Sequence, residues 1–399
     1  MLDHPDPYEK YGLTRVINAA TSLTMLGGSM PHPSVFQAMH EASKAFIHIP
    51  TLQAWAGERL SQALGGEAGL PTAGASNGLM LACAACIFRE SELAQFDPLD
   101  EPKWTPIVQR LPLHTEGLPT QFIVMADSRS TYDYAIEATG GKRVEAGEKD
   151  SVEISDLESA FQEGETAAYY YTLYPFKRQA PLEEVAKLAH EKGVPIIVDA
   201  APCLTHKGVP KWILEKGADL VVFSGGKQLG GPNNTGILLG KRELVKLAHL
   251  NAYPFDGIGR AAKMSRETIM GLIQALEIFM ERDDNLYYSK LLEETQRFSG
   301  EVNQIPGLRS GVLIEPSVLP GATPPSYAWV EVETPNLTAR ELYLRLLKGK
   351  PSIRALFEPY FITTQAANRL TFKMEYLLPG DKEAVLRRLR EEVTPCQRA

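Results

Sequence analysis

The sequence predicts an α/β protein: a large domain on a mostly parallel sheet, followed by a smaller α+β C-terminal domain. Three observations predict it. The chain has 399 residues, more than one ordinary domain holds. Between about residues 64 and 245, apolar strand-like runs alternate with helical patterns. Near residue 264 that alternation gives way to a long amphipathic stretch.

The strand-like runs are Phe122–Met125, Ala167–Thr172, Pro195–Val198, Asp219–Phe223 and Gly236–Leu239, each bounded by Gly, Pro or charged residues. Strands apolar throughout are those buried on both faces, as in parallel sheets. The clearest helix is Pro181–Lys192, where Pro181 suits a first-turn position and Gly193 the stop. Ser265 opens the amphipathic stretch, in which Ile269, Leu272, Ile273, Leu276 and Phe279 recur at helical spacing towards Val302. Beyond Pro306, strand-like Ala328–Val332 and Leu370–Phe372 flank a helix near Thr338–Leu347. The expected organisation is an N-terminal arm over 1–50, a large domain over 51–260, and a linking helix with the small domain over 261–399.

Composition narrows the function. Hydrophobic residues at 44% and charged residues at 23% describe an ordinary globular chain. A net charge of −8 opposes a large nucleic-acid surface, which needs clustered Lys and Arg. The amino terminus has no apolar stretch behind a basic start, so no secretory signal is expected. The longest apolar runs are too short to span a bilayer, and four cysteines make no disulfide framework. A soluble, cytoplasmic protein is expected. Cys83 and Cys86 form a C-x-x-C pair, but their Ala and Leu neighbours point to buried helix cysteines and no metal site.

The chemistry concentrates between Ile196 and Gly240. One apolar strand ends in Asp199, and the next ends in Ser224-Gly225-Gly226-Lys227. Ligands of open α/β sheets bind beyond the carboxyl ends of strands, so both charged side chains face one crevice. A lysine amine condenses with an aldehyde and can then move a proton at a substrate's α-carbon. A carboxylate beside a pyridine nitrogen keeps that nitrogen protonated and the ring able to accept electrons. Together they point to pyridoxal 5′-phosphate (PLP), held as a Schiff base on Lys227 with Asp199 under the ring nitrogen. Gly225, Gly226, Gly230 and Gly231 are expected to let backbone approach the cofactor, and Ser224 to donate to its phosphate.

These residues resemble fold type I PLP-dependent enzymes, the PLP-dependent transferase fold. The branch most similar contains L-seryl-tRNA(Sec) selenium transferase and D-glucosaminate-6-phosphate ammonia-lyase. The resemblance is carried in order by Arg15–Ala20 with Leu26–Ser29, Ala73–Gly78, Asp199-Ala200-Ala201, Ser224–Lys227, Gly231-Pro232-Asn233 and Gly259–Lys263. It implies a seven-stranded sheet in the large domain. It also implies Gly74, Ala75 and Ser76 on the phosphate, where a helix begins and anions are favoured. Ala201 would pack on one ring face, and Ser128, Arg129 or Tyr132 on the other. Thr235 and Arg260 would approach the phosphate or a neighbouring subunit's site in a homodimer. A substrate carboxylate would take Arg354, within a P-S-I-R segment, with Arg369 as the other candidate.

The sequence departs from the branch in three places. It lacks the long N-terminal extension of the selenium transferases, Asn233 replaces a Gln, and the Ser128–Ala135 loop lacks a His-Arg pattern. The resulting expectation is a PLP-dependent lyase acting on a small amino acid or amino sugar acid. It would work through an external aldimine, α-proton abstraction by Lys227 and β-elimination or replacement. The alternatives are an aminotransferase, racemase or aldolase on the same scaffold. From other classes come a tRNA-acting selenium transferase and a non-catalytic protein of this fold.

Overall fold

The structure is a computed structural model and describes residues 6–176, 179–357 and 369–393. The chain forms two compact units, Ser29–Arg282 and Met1–Gly28 with Asp283–Ala399. The first strand, β1 (Val16–Asn18), belongs to the second unit. The large unit contains β2 (Ala68–Thr72), β3 (Gln121–Met125), β4 (Lys142–Ala146), β5 (Thr166–Thr172), β6 (Ile196–Asp199), β7 (Leu220–Ser224) and β8 (Gly236–Gly240).

These seven strands form one sheet in the order β2-β8-β7-β6-β5-β3-β4. From β7 through β4 neighbours pair in parallel, while β8 runs antiparallel to both β7 and β2. Six strands therefore share one direction, and their carboxyl ends line one edge. β5, β6 and β8 are buried along their whole length, which explains their unbroken apolar sequences. The edge strand β4 reads Lys-Arg-Val-Glu-Ala and is exposed at three of its five positions. The helix Ala75–Ile87 packs on the central strands, and Cys83 and Cys86 lie within it fully buried. Among the described residues no group of three potential metal ligands occurs, and burial pushes both thiols well up.

The boundaries differ from expectation in instructive places. The helix expected over 181–192 spans Leu182–Glu191, with Pro181 at its N-cap and Gly193 at φ 71°. The long stretch after Ser265 is two helices, Arg266–Glu281 and Asp284–Val302. Arg282 ends the first and Asp283 caps the second, its carboxylate accepting from Leu286 N at 3.0 Å. The contacts place the division between units there, about twenty residues beyond the 260/261 boundary read from the sequence, and group residues up to 28 with the C-terminal unit.

The smaller unit holds β9 (Leu308–Ile314), β10 (Ser326–Val332), β11 (Ser352–Arg354), β12 (Leu356–Phe357) and β13 (Arg369–Phe372). Four of them form an antiparallel sheet, β12-β13-β10-β9, and β11 pairs in parallel with β1. The helix Ala339–Lys348 starts at a capping box between Thr338 and Glu341. No helix among the described residues is long and apolar enough to cross a membrane.

Candidate active site

The strand register assembles the site. Thr72 of β2 and Ser224 of β7 both pair with Gly236 of β8. Val222 pairs with Asp199, and Asp199 with Thr172. The residues after these positions, 73–76, 173–174, 200–203 and 225–227, therefore leave the sheet at one edge. Sequence reasoning placed Asp199 and Lys227 in one crevice, and the register does so.

Asp199 is 4% exposed, and its Oδ1 accepts one hydrogen bond, from Ala201 N at 3.0 Å. Burial pushes its carboxyl up to about 6, against the opposing pull of the Ala201 N–H and the Lys227 charge. Lys227 is half-buried, and its ammonium makes no hydrogen bond or ion pair among the described residues. Burial lowers its pKa, with Asp199 acting in the opposite sense. That direction favours the neutral amine, the form that attacks a carbonyl group.

The helix Ala75–Ile87 opens at Gly74, with φ 84° and no side-chain cap. The first of its N–H groups bonded inside the helix is that of Gly78, to Gly74 O at 3.1 Å. Those of Ala75, Ser76 and Asn77 have no partner among the described residues and converge at the positive end of the helix. Asn77 Oδ1 holds Ala73 N at 3.3 Å, and its buried Nδ2 is unpartnered. Any side chain at Gly236 would run into Gly74 and Ala75, so that glycine lets the loop close down on the sheet. Three free N–H groups with an orphan amide make a cradle for an anion such as a phosphate.

The other predicted residues divide. Ser224 is half-buried, its N–H donating to Ala201 O at 3.1 Å and its hydroxyl without a partner among the described residues. Ala201 is 8% exposed at the turn after Asp199. Thr235 is fully buried and donates its hydroxyl to Pro232 O at 2.6 Å, so it braces the loop and presents no free group. Gly225 and Gly226 are explained by that loop: a side chain on Gly225 would strike Thr235, and one on Gly226 would approach Asn233 Cα to 2.5 Å. The loop by itself is enough to require these two glycines.

Ser128 is 3% exposed and donates to Asp127 Oδ1 at 2.8 Å. Arg129 is held by Asp133, 2.7 Å from its Nε, and by Glu145. Tyr132, 46% exposed, is the one aromatic side chain among the three ring-stacking candidates. Arg260 forms a surface ion pair with Asp256 at 3.6 Å. Arg354 and Arg369 belong to the smaller unit. Arg369 is paired with Glu331 and lies 4.3 Å over the Trp329 ring, whereas Arg354 has a buried, unpartnered Nε.

Sequence reasoning missed several residues of the large unit. Tyr134 bonds Ser76 through their hydroxyls. Ser29 reaches Gly226 O through both its N–H, at 2.9 Å, and its hydroxyl, at 3.1 Å, seating the end of the Leu26–Ser29 segment beside Lys227. Tyr174 follows β5 next to Asp199, whose carbonyl accepts from Leu173 N at 2.9 Å. These neighbours are distant in sequence, so only the folded chain reveals them.

With this geometry the comparisons with known proteins agree. Residues 133–298 match the L-seryl-tRNA selenium transferase family (SelA). The chain is similar to a 5′-C-glycyluridine monooxygenase-decarboxylase of Streptomyces sp, at 30% identity over 76% of this chain and 73% of the relative. It is also similar to D-glucosaminate-6-phosphate ammonia lyase of Salmonella typhimurium, at 29% identity over 68% of this chain and 70% of that enzyme. A solved structure of D-glucosaminate-6-phosphate ammonia-lyase superimposes with a TM-score of 0.77 at 26% identity, covering 98% of this chain and 99% of that one. The chain belongs to the fold type I PLP-dependent enzymes, in the branch of the selenium transferases and the ammonia-lyase.

Proposed function

We propose that this enzyme binds PLP through Lys227 and uses it to eliminate a β-substituent and ammonia from a small amino acid or amino sugar acid. The observation that carries the reading is that Asp199 and Lys227 stand at the carboxyl ends of the neighbouring strands β6 and β7, on the edge where Ala75–Asn77 present three free N–H groups. The bound cofactor supplies an aldehyde for covalent attachment and a ring that stabilises negative charge at the substrate's α-carbon. The N–H groups of Ala75, Ser76 and Asn77 hold its phosphate, with Ser76 and Ser224 adding hydroxyls. Asp199 holds a proton on the ring nitrogen, Ala201 supports one ring face, and Tyr132 is the candidate for the other.

Lys227 Nζ takes the α-proton, and the β-leaving group departs with its bonding electrons. Hydrolysis of the released unsaturated amine gives a 2-keto acid and ammonia. Arg354 binds the substrate carboxylate, because its guanidinium is the one of the three candidate arginines without a carboxylate partner among the described residues. A homodimer and a cytoplasmic setting complete the reading. Nucleic acid is not part of it, since the net charge of −8 offers no excess of cationic groups.

Loss of CO2 from the same α-carbon is the second reading, favoured by the decarboxylase named among the relatives. Both begin with the breaking of one bond at that carbon, whose charge the cofactor would stabilise. The test is the visible spectrum of the purified protein before and after borohydride, with the cofactor's mass sought on the Lys227 peptide. A yellow band that borohydride bleaches supports the site; a protein that stays colourless with added PLP overturns it. Incubation with amino acids then separates the two reactions by whether ammonia with keto acid, or CO2, appears.

A further inference from the structure

Tyr134 opens the short helix Tyr134–Ala138. Its neighbours Ala135 and Ile136 are fully buried, in the core that also holds Ala82, Cys83 and Cys86 of helix Ala75–Ile87. Tyr134 itself is 53% exposed, so burial contributes little to holding its ring. The backbone before it is pinned: Ser130 and Asp133 close a capping box, and Arg129 ties Asp133 to Glu145 of β4. From that fixed base the phenol reaches Ser76, 58 residues earlier in the chain. The bond between the two hydroxyls is the one hydrogen bond either makes among the described residues.

Ser76 is the second residue of helix Ala75–Ile87, and its own N–H is one of the three without a partner. The two hydroxyls carry two hydrogens, and their mutual bond uses one. A phenol is a stronger acid than an alcohol, so the favoured arrangement has Tyr134 donating and Ser76 accepting. The spare hydrogen then sits on Ser76, beside N–H groups that suit an anion. A hydroxyl that accepts a hydrogen bond is also polarised into a better donor.

We propose that Tyr134 is a positioning residue for the anion cradle: its phenol donates to Ser76 Oγ and so directs the Ser76 hydrogen onto a phosphate held by Ala75–Asn77. Without the phenol, the serine hydroxyl is free to rotate among its staggered positions. Tyr134 acts through Ser76 and away from the reacting carbon. It therefore sets how tightly the phosphate is held and leaves the proton at the α-carbon to Lys227. That the phosphate is the cofactor's rests on the function proposed above; the coupling of the two hydroxyls to a bound phosphate does not.

Binding of PLP, pyridoxal and inorganic phosphate to the cofactor-free protein tests the proposal. The proteins compared are wild type, Tyr134→Phe, Ser76→Ala and the double variant. Tyr134→Phe keeps the ring and should weaken PLP binding about fivefold, the effect of one hydrogen bond. Pyridoxal, which has no phosphate, should bind the variant as it binds wild type. Adding Tyr134→Phe to Ser76→Ala should weaken PLP no further, because the phenol works through the serine. Unchanged PLP affinity in Tyr134→Phe, equal weakening of PLP and pyridoxal, or additive losses in the double variant would each overturn the role. Should Tyr134→Phe not fold, a crystal structure of the wild type with phosphate bound decides. Ser76 Oγ within hydrogen-bond distance of both the phenol and the phosphate is expected, and the absence of either contact overturns the proposal. Should the wild type take up inorganic phosphate but no PLP, the cofactor reading falls, and the same fivefold comparison made with phosphate judges Tyr134. Uptake of neither overturns both.

Discussion

Asp199 and Asp219 are both buried aspartates of the central sheet, one closing β6 and the other immediately preceding β7, and they are equipped in opposite ways. Asp219, 1% exposed, accepts from Ile196 N at 2.8 Å, faces His190 Nε2 at 3.0 Å and lies 2.6 Å from Lys241 Nζ. Asp199 accepts one N–H, and its nearby lysine makes no ion pair with it. The same amino acid is ion-paired at the amino edge, by Lys241 and His190, and stands without an ion pair at the carboxyl edge. An ion-paired buried charge holds strands together; one without an ion pair is costly to bury and available to a ligand.

The strongest way to break this comparison is Lys227→Ala. Turnover should fall by about 10⁴-fold or more, because the group that attaches the cofactor and moves the proton is gone. The melting temperature of the cofactor-free protein should not fall, since Lys227 makes no ion pair. Turnover that persists in the variant would end the proposed mechanism. Asp199→Asn should lower kcat by about 10²- to 10⁴-fold while PLP still attaches.

The same variant tests the stability side. The folded protein binds the Asp199 proton more tightly than the unfolded chain, with a pKa of about 6 against an ordinary 3.8. Stability of the cofactor-free protein therefore falls as pH rises through that interval and stays low above it. Asp199→Asn should be more stable than wild type by up to about 3 kcal/mol near pH ~8, with the difference gone near pH ~4. Urea unfolding at both pH values checks it; equal stability throughout would show that Asp199 pays no burial penalty.

Asp219→Ala should behave in the reverse manner. It leaves the Ile196 N–H buried without a partner and should cost about 2 kcal/mol, read from the denaturation midpoint. The kcat per folded molecule should be unchanged. A large loss of kcat with unaltered stability would erase the distinction between the two edges.

How much of this was legible in the sequence follows from the same physics. The buried strands β3 and β5–β8 were readable because burial on both faces forces continuous apolar runs. β4, with its charged residues, and β2, with Gly69 and Pro71 inside it, carry no such signal and were missed. Asp199 and Lys227 were readable because each ends an apolar run at a spacing that fits one crossover. The partners of Tyr134 and Ser29 were not, since Ser76 and Gly226 lie far from them in sequence and only the folded chain brings them together. The glycines after Ser224 were read for their freedom, whereas the loop through Asn233 and Thr235 sets their need.

The contrast between groups with and without an ion pair also separates the two arginines of the smaller unit, with the smallest expected effect. Arg369 is held by Glu331 and stacked on Trp329 at 4.3 Å. Arg354 lies on β11, where its carbonyl accepts from Ala19 N at 2.8 Å and fixes the backbone. Its guanidinium lies 5.5 Å from the Tyr343 ring centroid, with Nε unpartnered. A fixed backbone under an uncommitted planar donor is what carboxylate recognition requires. Arg354→Lys keeps the charge and removes the fork, so KM for an amino-acid substrate should rise about tenfold with kcat little altered. A substrate analogue without the carboxylate should not distinguish the variant from wild type. Arg369→Lys should leave KM unchanged; if it instead raises KM as much as Arg354→Lys does, the unpaired group is not what marks the binding arginine.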